Sequence, residues 1–168
     1  MLKHVALTTL LTLSGASVAA DAVDPPQYSL RSNADLRDRY GRAVASWTVV
    51  PFNRTYVQLS AEQKAVIKSF YVAMGEQDEP PYPEAGLEAI YGPIAQGQGR
   101  LRVKGELDLE VVISSSGDPE EVRVYRSPHK KVTHFVANLA MLTRFKPALC
   151  AGQPCRMSFP IRVTFEWE

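Results

Sequence analysis

The last segment of the chain constrains the fold most. From Met157 to Trp167 an apolar residue falls on every second position: Met157, Phe159, Ile161, Val163, Phe165 and Trp167. Arg156, Ser158, Pro160, Arg162, Thr164 and Glu166 take the positions between them. Successive side chains of a strand point to opposite faces, so this pattern predicts a strand with one face buried. Burying that row against a helix would contribute on the order of 10 kcal/mol before entropy is subtracted. Pro160 adds a constraint. It has no N–H to give to a ladder, so it belongs on an edge strand or at a bulge. The last strand should then have a partly open edge. Either Arg156, Arg162 and Glu166 guard that edge against stray pairing, or the edge accepts an extended partner strand.

Two more strands precede it. Gly105 opens a run in which Leu107, Leu109, Val111 and Ile113 alternate with Asp108, Glu110 and Val112. Ser116-Gly117-Asp118 makes a turn, and Val122 and Val124 then alternate with Arg123 and Tyr125. So short a connection predicts an antiparallel hairpin. Ser127-Pro128 reads as a helix start, with serine as N-cap and proline at the first helical position. Val132, Phe135, Val136, Leu139, Leu142 and Phe145 form a helical stripe, and Pro147 stops it. The order is β-β-α-β. The expected fold class is α+β, a small antiparallel sheet with a packed helix.

Upstream lies a helical or irregular extension. Ser46 to Val50 is rich in strand formers and ends at Pro51. Ser60 and Gln63 form a capping-box pair. Val66, Ile67, Phe70, Tyr71 and Met74 recur at helical spacing, so a helix is expected over about residues 60–74, ended by Gly75. Prolines 80, 81 and 83 enforce an extended backbone. Gly86 to Ile94 predicts a short helix with Leu87, Ile90, Tyr91 and Ile94 inward, and Gln96 to Gly99 a loop.

The first residues carry a different signature. A short polar start at Lys3 and His4 precedes an apolar run, Val5 to Leu13, and then small residues around Ala19, Ala20 and Ala22. This predicts a signal peptide over residues 1–20, export to the periplasm and cleavage near those alanines. The run is shorter than the roughly 20 residues a spanning helix needs, so no stable membrane span is expected after cleavage. The working division is residues 1–20, an extension over 21–79, and a folded domain over 80–168.

The chemical inventory points to binding. Net charge is +1 over 168 residues. A nucleic-acid partner is not expected, since it requires a basic face. Cys150 and Cys155 are the two cysteines. In an oxidising compartment they should form a disulfide around Gly152 and Pro154, contributing roughly 2 kcal/mol. Neither C-x-x-C redox spacing nor a zinc set is present. His129 and His134 would stand about 140° apart on a helix, not as a metal pair. Asp78 and Glu79, beside prolines, read as solvated charges. No catalytic, cofactor or metal residues are assigned, and the chain is expected not to be an enzyme.

Taken in order, several pieces from Tyr82-Pro83 onward resemble the TonB C-terminal domain family. They are Gly105 at the head of an alternating strand, Ser116-Gly117-Asp118, Val122-Arg123-Val124 leading to Ser127-Pro128, and Phe145-Lys146-Pro147-Ala148. Gly152-Gln153-Pro154 and Phe159-Pro160-Ile161-Arg162-Val163-Thr164-Phe165 complete the set. The resemblance implies a periplasmic domain without cofactor. It implies binding of a short peptide, the TonB box of an outer-membrane transporter, by strand addition. By position, the partner-strand edge would be Met157, Phe159, Ile161, Val163 and Phe165. With a short N-terminal apolar run and no proline-rich spacer, the resemblance implies a binding or coupling module, not a force transducer. The alternative is a structural or envelope-associated protein that keeps the fold and uses its N-terminal half for packing or as a homodimer.

Overall fold

The computed structural model describes residues 28–30 and 49–166. The expected signal peptide, most of the strand expected at Ser46–Val50, and Trp167 lie outside them. The fold is mixed α+β, with three helices and small antiparallel sheets among the described residues.

The elements run in this order. After a 3-10 turn at Tyr56–Gln58 comes α1, Ala61–Lys68. Then follow β1, Tyr82–Pro83; α2, Glu88–Leu101; β2, Gly105–Ile113; β3, Pro119–Arg126; and α3, Lys130–Leu142. β4, Phe145–Lys146; β5, Ala148–Cys150; β6, Gln153–Cys155; and β7, Met157–Phe165 complete the chain.

The central sheet has the order β3-β2-β7, antiparallel throughout. β2 pairs with β7 along nine positions, from Gly105 opposite Phe165 to Ile113 opposite Met157. Leu107, Leu109, Val111, Phe159 and Ile161 are buried in one core with Val132 and Val136 of α3. The expected alternation and hairpin are both present. Ser114 shapes the hairpin turn, its hydroxyl accepting from the Ser116 and Asp118 amides. Gly117 is obligatory there. Its φ is +89°, and a Cβ would sit 2.1 Å from the Phe145 carbonyl oxygen.

Residues 49–79 share the same core. Val50, Tyr56, Leu59 and Ile67 pack into the cluster that holds Tyr82, Leu87 and Leu107. A second cluster joins Phe70 and Tyr71 to Ala148, Cys150 and Met157, with Tyr28 and Leu30 against it.

Several expected boundaries move. Val49 and Val50 form a turn and bend, not a strand; Val50 is buried in the core, while Val49 is exposed. The Ser60–Gln63 capping box forms, but α1 ends at Lys68 instead of Met74. The Ser69 hydroxyl turns back to the Val66 carbonyl at 2.6 Å. The chain then leaves the helix so that Tyr71 can bridge to Leu30 and bury its ring. Tertiary burial outweighs local periodicity here. α2 goes the other way. It runs through Pro93 and the glycines expected to form a loop, because Ile90, Tyr91 and Ile94 are anchored in the core. Arg102 in the left-handed conformation ends it.

α3 is capped by His129, not Ser127. The His129 Nδ1 accepts from the Lys131 amide at 3.1 Å, and the Ser127 hydroxyl meets that of Thr133 instead. The helix stops at Leu142, before Pro147. Thr143 closes it, its hydroxyl donating to the Leu139 carbonyl at 2.8 Å. Phe145 is therefore not on the helical stripe. It lies in β4, opposite Pro83. Phe135 and Leu142, also placed on that stripe, face solvent at 38% and 84% exposure.

Candidate functional site

The site expected from the sequence is the outer edge of β7. The five side chains named for it do not line an open surface. Met157, Phe159, Ile161 and Phe165 are buried, and Val163 is half-buried. They hold the sheet to the rest of the molecule, so any recognition at this edge falls to the backbone.

That backbone is partly occupied. In an antiparallel strand alternate residues point their N–H and C=O outward. Ser158, Pro160 and Arg162 share one parity. The Tyr71 hydroxyl donates to the Ser158 carbonyl at 2.9 Å, in a buried contact between residues 87 apart in sequence. Pro160 has no N–H to offer, which explains why proline is accepted in the middle of β7. Near the next outward amide, that of Arg162, stands the buried Tyr91 hydroxyl, whose pKa burial raises and the Arg162 backbone and charge partly lower. Burial holds the Tyr71 hydroxyl well above its ordinary pKa as well, so it stays protonated and able to donate. Thr164, beyond Arg162, is exposed.

Tyr71 is itself fixed by a strap. Tyr71 bridges to Leu30, and the Val72 amide donates to the Ser29 carbonyl at 3.0 Å. Asp78 ties the strap down. It is 6% exposed, against the expectation of a solvated charge. Its carboxylate accepts from the Tyr28 hydroxyl at 2.8 Å, the Gly75 amide at 2.6 Å and the Ala151 amide at 2.7 Å. These contacts, the Ala151 amide foremost, hold its carboxyl below the ordinary value of 3.8. Its neighbour Glu79 pairs with Lys146 at 2.9 Å, and its backbone bridges to Leu149.

Ala151 sits in the turn of the β5–β6 hairpin, which the Cys150–Cys155 disulfide closes, as expected, with the Cα atoms 5.8 Å apart. The disulfide thus fixes the turn that donates to Asp78. Sequence reasoning missed this node. Gly75 three residues before Asp78 was a local signal, but the contacts to Tyr28 and Ala151 span 50 and 73 positions.

The opposite end of the sheet differs. The outer side of β3 has no strand beside it. Among the described residues, no backbone hydrogen bond reaches Pro119–Arg126 from outside the sheet. Glu121 and Arg123 form a two-point ion pair at 2.8 and 3.0 Å, and the Tyr125 hydroxyl meets Glu110 at 3.2 Å. On β7 the comparable ion pair, Arg162 with Asp108 at 3.3 Å, is much less exposed.

Among the described residues no group of three or more His, Cys, Asp or Glu could hold a metal ion, and no helix is long and apolar enough to cross a membrane. The class these features define is a small α+β domain built on a three-stranded antiparallel sheet. No protein-family model matches the chain, and no curated protein matches it.

Proposed function

We propose that the chain is a periplasmic TonB-like binding or coupling module that takes up an extended peptide of an outer-membrane partner by strand addition. The observation that carries this reading is that β7 ends the sheet with no strand on its outer side. The order of the sequence pieces shared with the TonB C-terminal domain family supports it. No catalytic role is proposed. The accepting stretch is the unstrapped end of β7, Val163 to Phe165, where Thr164 is exposed. A peptide running further toward Met157 has to displace the Tyr71 hydroxyl from the Ser158 carbonyl.

That occupied edge favours a second reading, a structural or envelope-associated protein that keeps the fold without energy transduction. Titration of the protein with TonB-box peptides, following backbone amide shifts, separates the two. Saturable shifts centred on Val163–Phe165 support peptide uptake. An unchanged β7 at millimolar peptide supports the structural reading. N-terminal sequencing of the exported protein tests export with cleavage, and retention of Met1 would contradict it.

A further inference from the structure

We propose that the outer edge of β3 pairs with β3 of a second copy of this chain, about a twofold axis at Val122, to make a continuous six-stranded sheet. This goes beyond the peptide-binding reading and does not depend on it, since it uses the other end of the sheet.

The first support is the open edge described above. The second is apolar surface beside it. Val132, Val136 and Ala140 mark the inward line of α3, each 0% exposed. Phe135 and Leu142 lie about 100° and 120° round the helix from that line, on the same side. β3 and β7 are parallel, both being antiparallel to β2. α3 packs chiefly against β3, and a right-handed crossover, the hand such connections adopt, would turn this flank of the helix toward the β3 edge. Val124 of β3 adds a third exposed apolar side chain there, at 45%. A sheet continued across β3 brings the α3 helices of both copies to the same side and shelters these residues.

The third support is charge complementarity. A twofold axis perpendicular to the sheet keeps both helices on one face. Opposed residues of a ladder share a face, so the axis must place one residue opposite its own copy. The regular part of β3 is short, because the register shifts at both ends, between Asp108 and Leu109 and between Val112 and Ile113 of β2. Centring on Arg123 sets two guanidinium groups face to face. Centring on Val124 carries the pairing into the shifted region at Tyr125. Centring on Val122 sets Glu121 opposite Arg123 of the second copy, and the reverse, giving two opposite-charge pairs around an apolar centre. The two ion pairs within the strands become one ring of alternating charge.

The test is the oligomeric state of the purified protein by sedimentation velocity over a wide concentration range. A reversible dimer is expected. Glu121→Arg or Arg123→Glu alone should weaken it about tenfold or more by opposing like charges. The double exchange should restore it. Circular dichroism of each variant confirms that these exposed changes leave the fold intact. A monomer up to millimolar concentration overturns the proposal, as does a dimer indifferent to both single reversals. If the β3 amides shift with added extended peptide while the protein stays monomeric, the edge belongs to a peptide and the proposal is wrong. Peptide shifts on β7 bear only on the function proposed above, so the two can fail separately.

Discussion

The two ends of the sheet solve the same problem in different ways. Each outer strand has a row of backbone groups that its neighbour β2 cannot satisfy. On β7 the chain covers part of that row itself. Tyr71 donates to Ser158, Pro160 removes one donor, and the buried Tyr91 hydroxyl stands near the Arg162 backbone. On β3 nothing from outside the sheet reaches the backbone among the described residues, and the defence is limited to register shifts and surface charge. A sheet edge can thus be covered in part without a strand, by a hydroxyl delivered from a distant segment. The edge left open is the one next to apolar side chains that face solvent.

Side-chain deletion should give the largest difference between the two ends. Phe159→Ala on β7 removes a fully buried ring and should cost about 3–5 kcal/mol in chemical denaturation. Val124→Ala on β3, 45% exposed, should cost less than about 1 kcal/mol in dilute solution. Equal losses would remove the contrast.

Reducing the disulfide should come next, at roughly 2 kcal/mol. Its effect should be local. Amides of residues 70–78 and of β7 near Ser158 should exchange faster on reduction, because the Ala151 amide no longer holds Asp78. Exchange along β3 should stay as it was. Uniform acceleration would show that the strap is not a separate unit.

Tyr71→Phe isolates the hydroxyl. Loss of one buried hydrogen bond, with the Ser158 carbonyl left unpaired, should cost about 1–3 kcal/mol. If β7 takes up a peptide, the same variant should bind it more tightly, since one competitor for the edge is gone. Tyr125→Phe on β3 should change stability by less than about 0.5 kcal/mol.

How much of this was legible in the sequence follows from the range of each interaction. β2, β3 and β7 were readable because a strand with one buried face writes its period into adjacent residues. The disulfide was readable because two cysteines leave one pairing. The short strands β1, β4, β5 and β6 were not, because each exists through a pairing whose hydrophobic pattern is too brief to register. The α3 stripe was read as wholly buried, and Phe135 and Leu142 show that apolar spacing alone does not say how wide the covered face is. The β7 edge was correctly suspected from Pro160. Its occupation by Tyr71 was out of reach, since nothing local to either residue signals a contact across 87 positions.

The smallest effect concerns pH. Asp78 has a folded-state pKa below its ordinary value of 3.8. Its contribution is therefore fully present above that value and is lost as pH falls through the lower, folded one. Between neutral pH and about pH 5 the strap should show no change from this group. In more acidic solution, residues 28–30 and 70–78 should loosen before β2 does, with β3 exchange unaffected. Asp78→Asn should abolish that acid step.

The central claim is that one edge of the sheet is covered in part by the chain's own Tyr71 and the other is open. Native-state hydrogen exchange, in dilute solution where any dimer is dissociated, tests it most directly. The amide of Ser158 on β7, buried beside the Tyr71 contact, should exchange slowly, while the amides of Val122 and Val124 on β3 should exchange orders of magnitude faster. Comparable protection at the two edges, or a rapidly exchanging Ser158, would contradict the account.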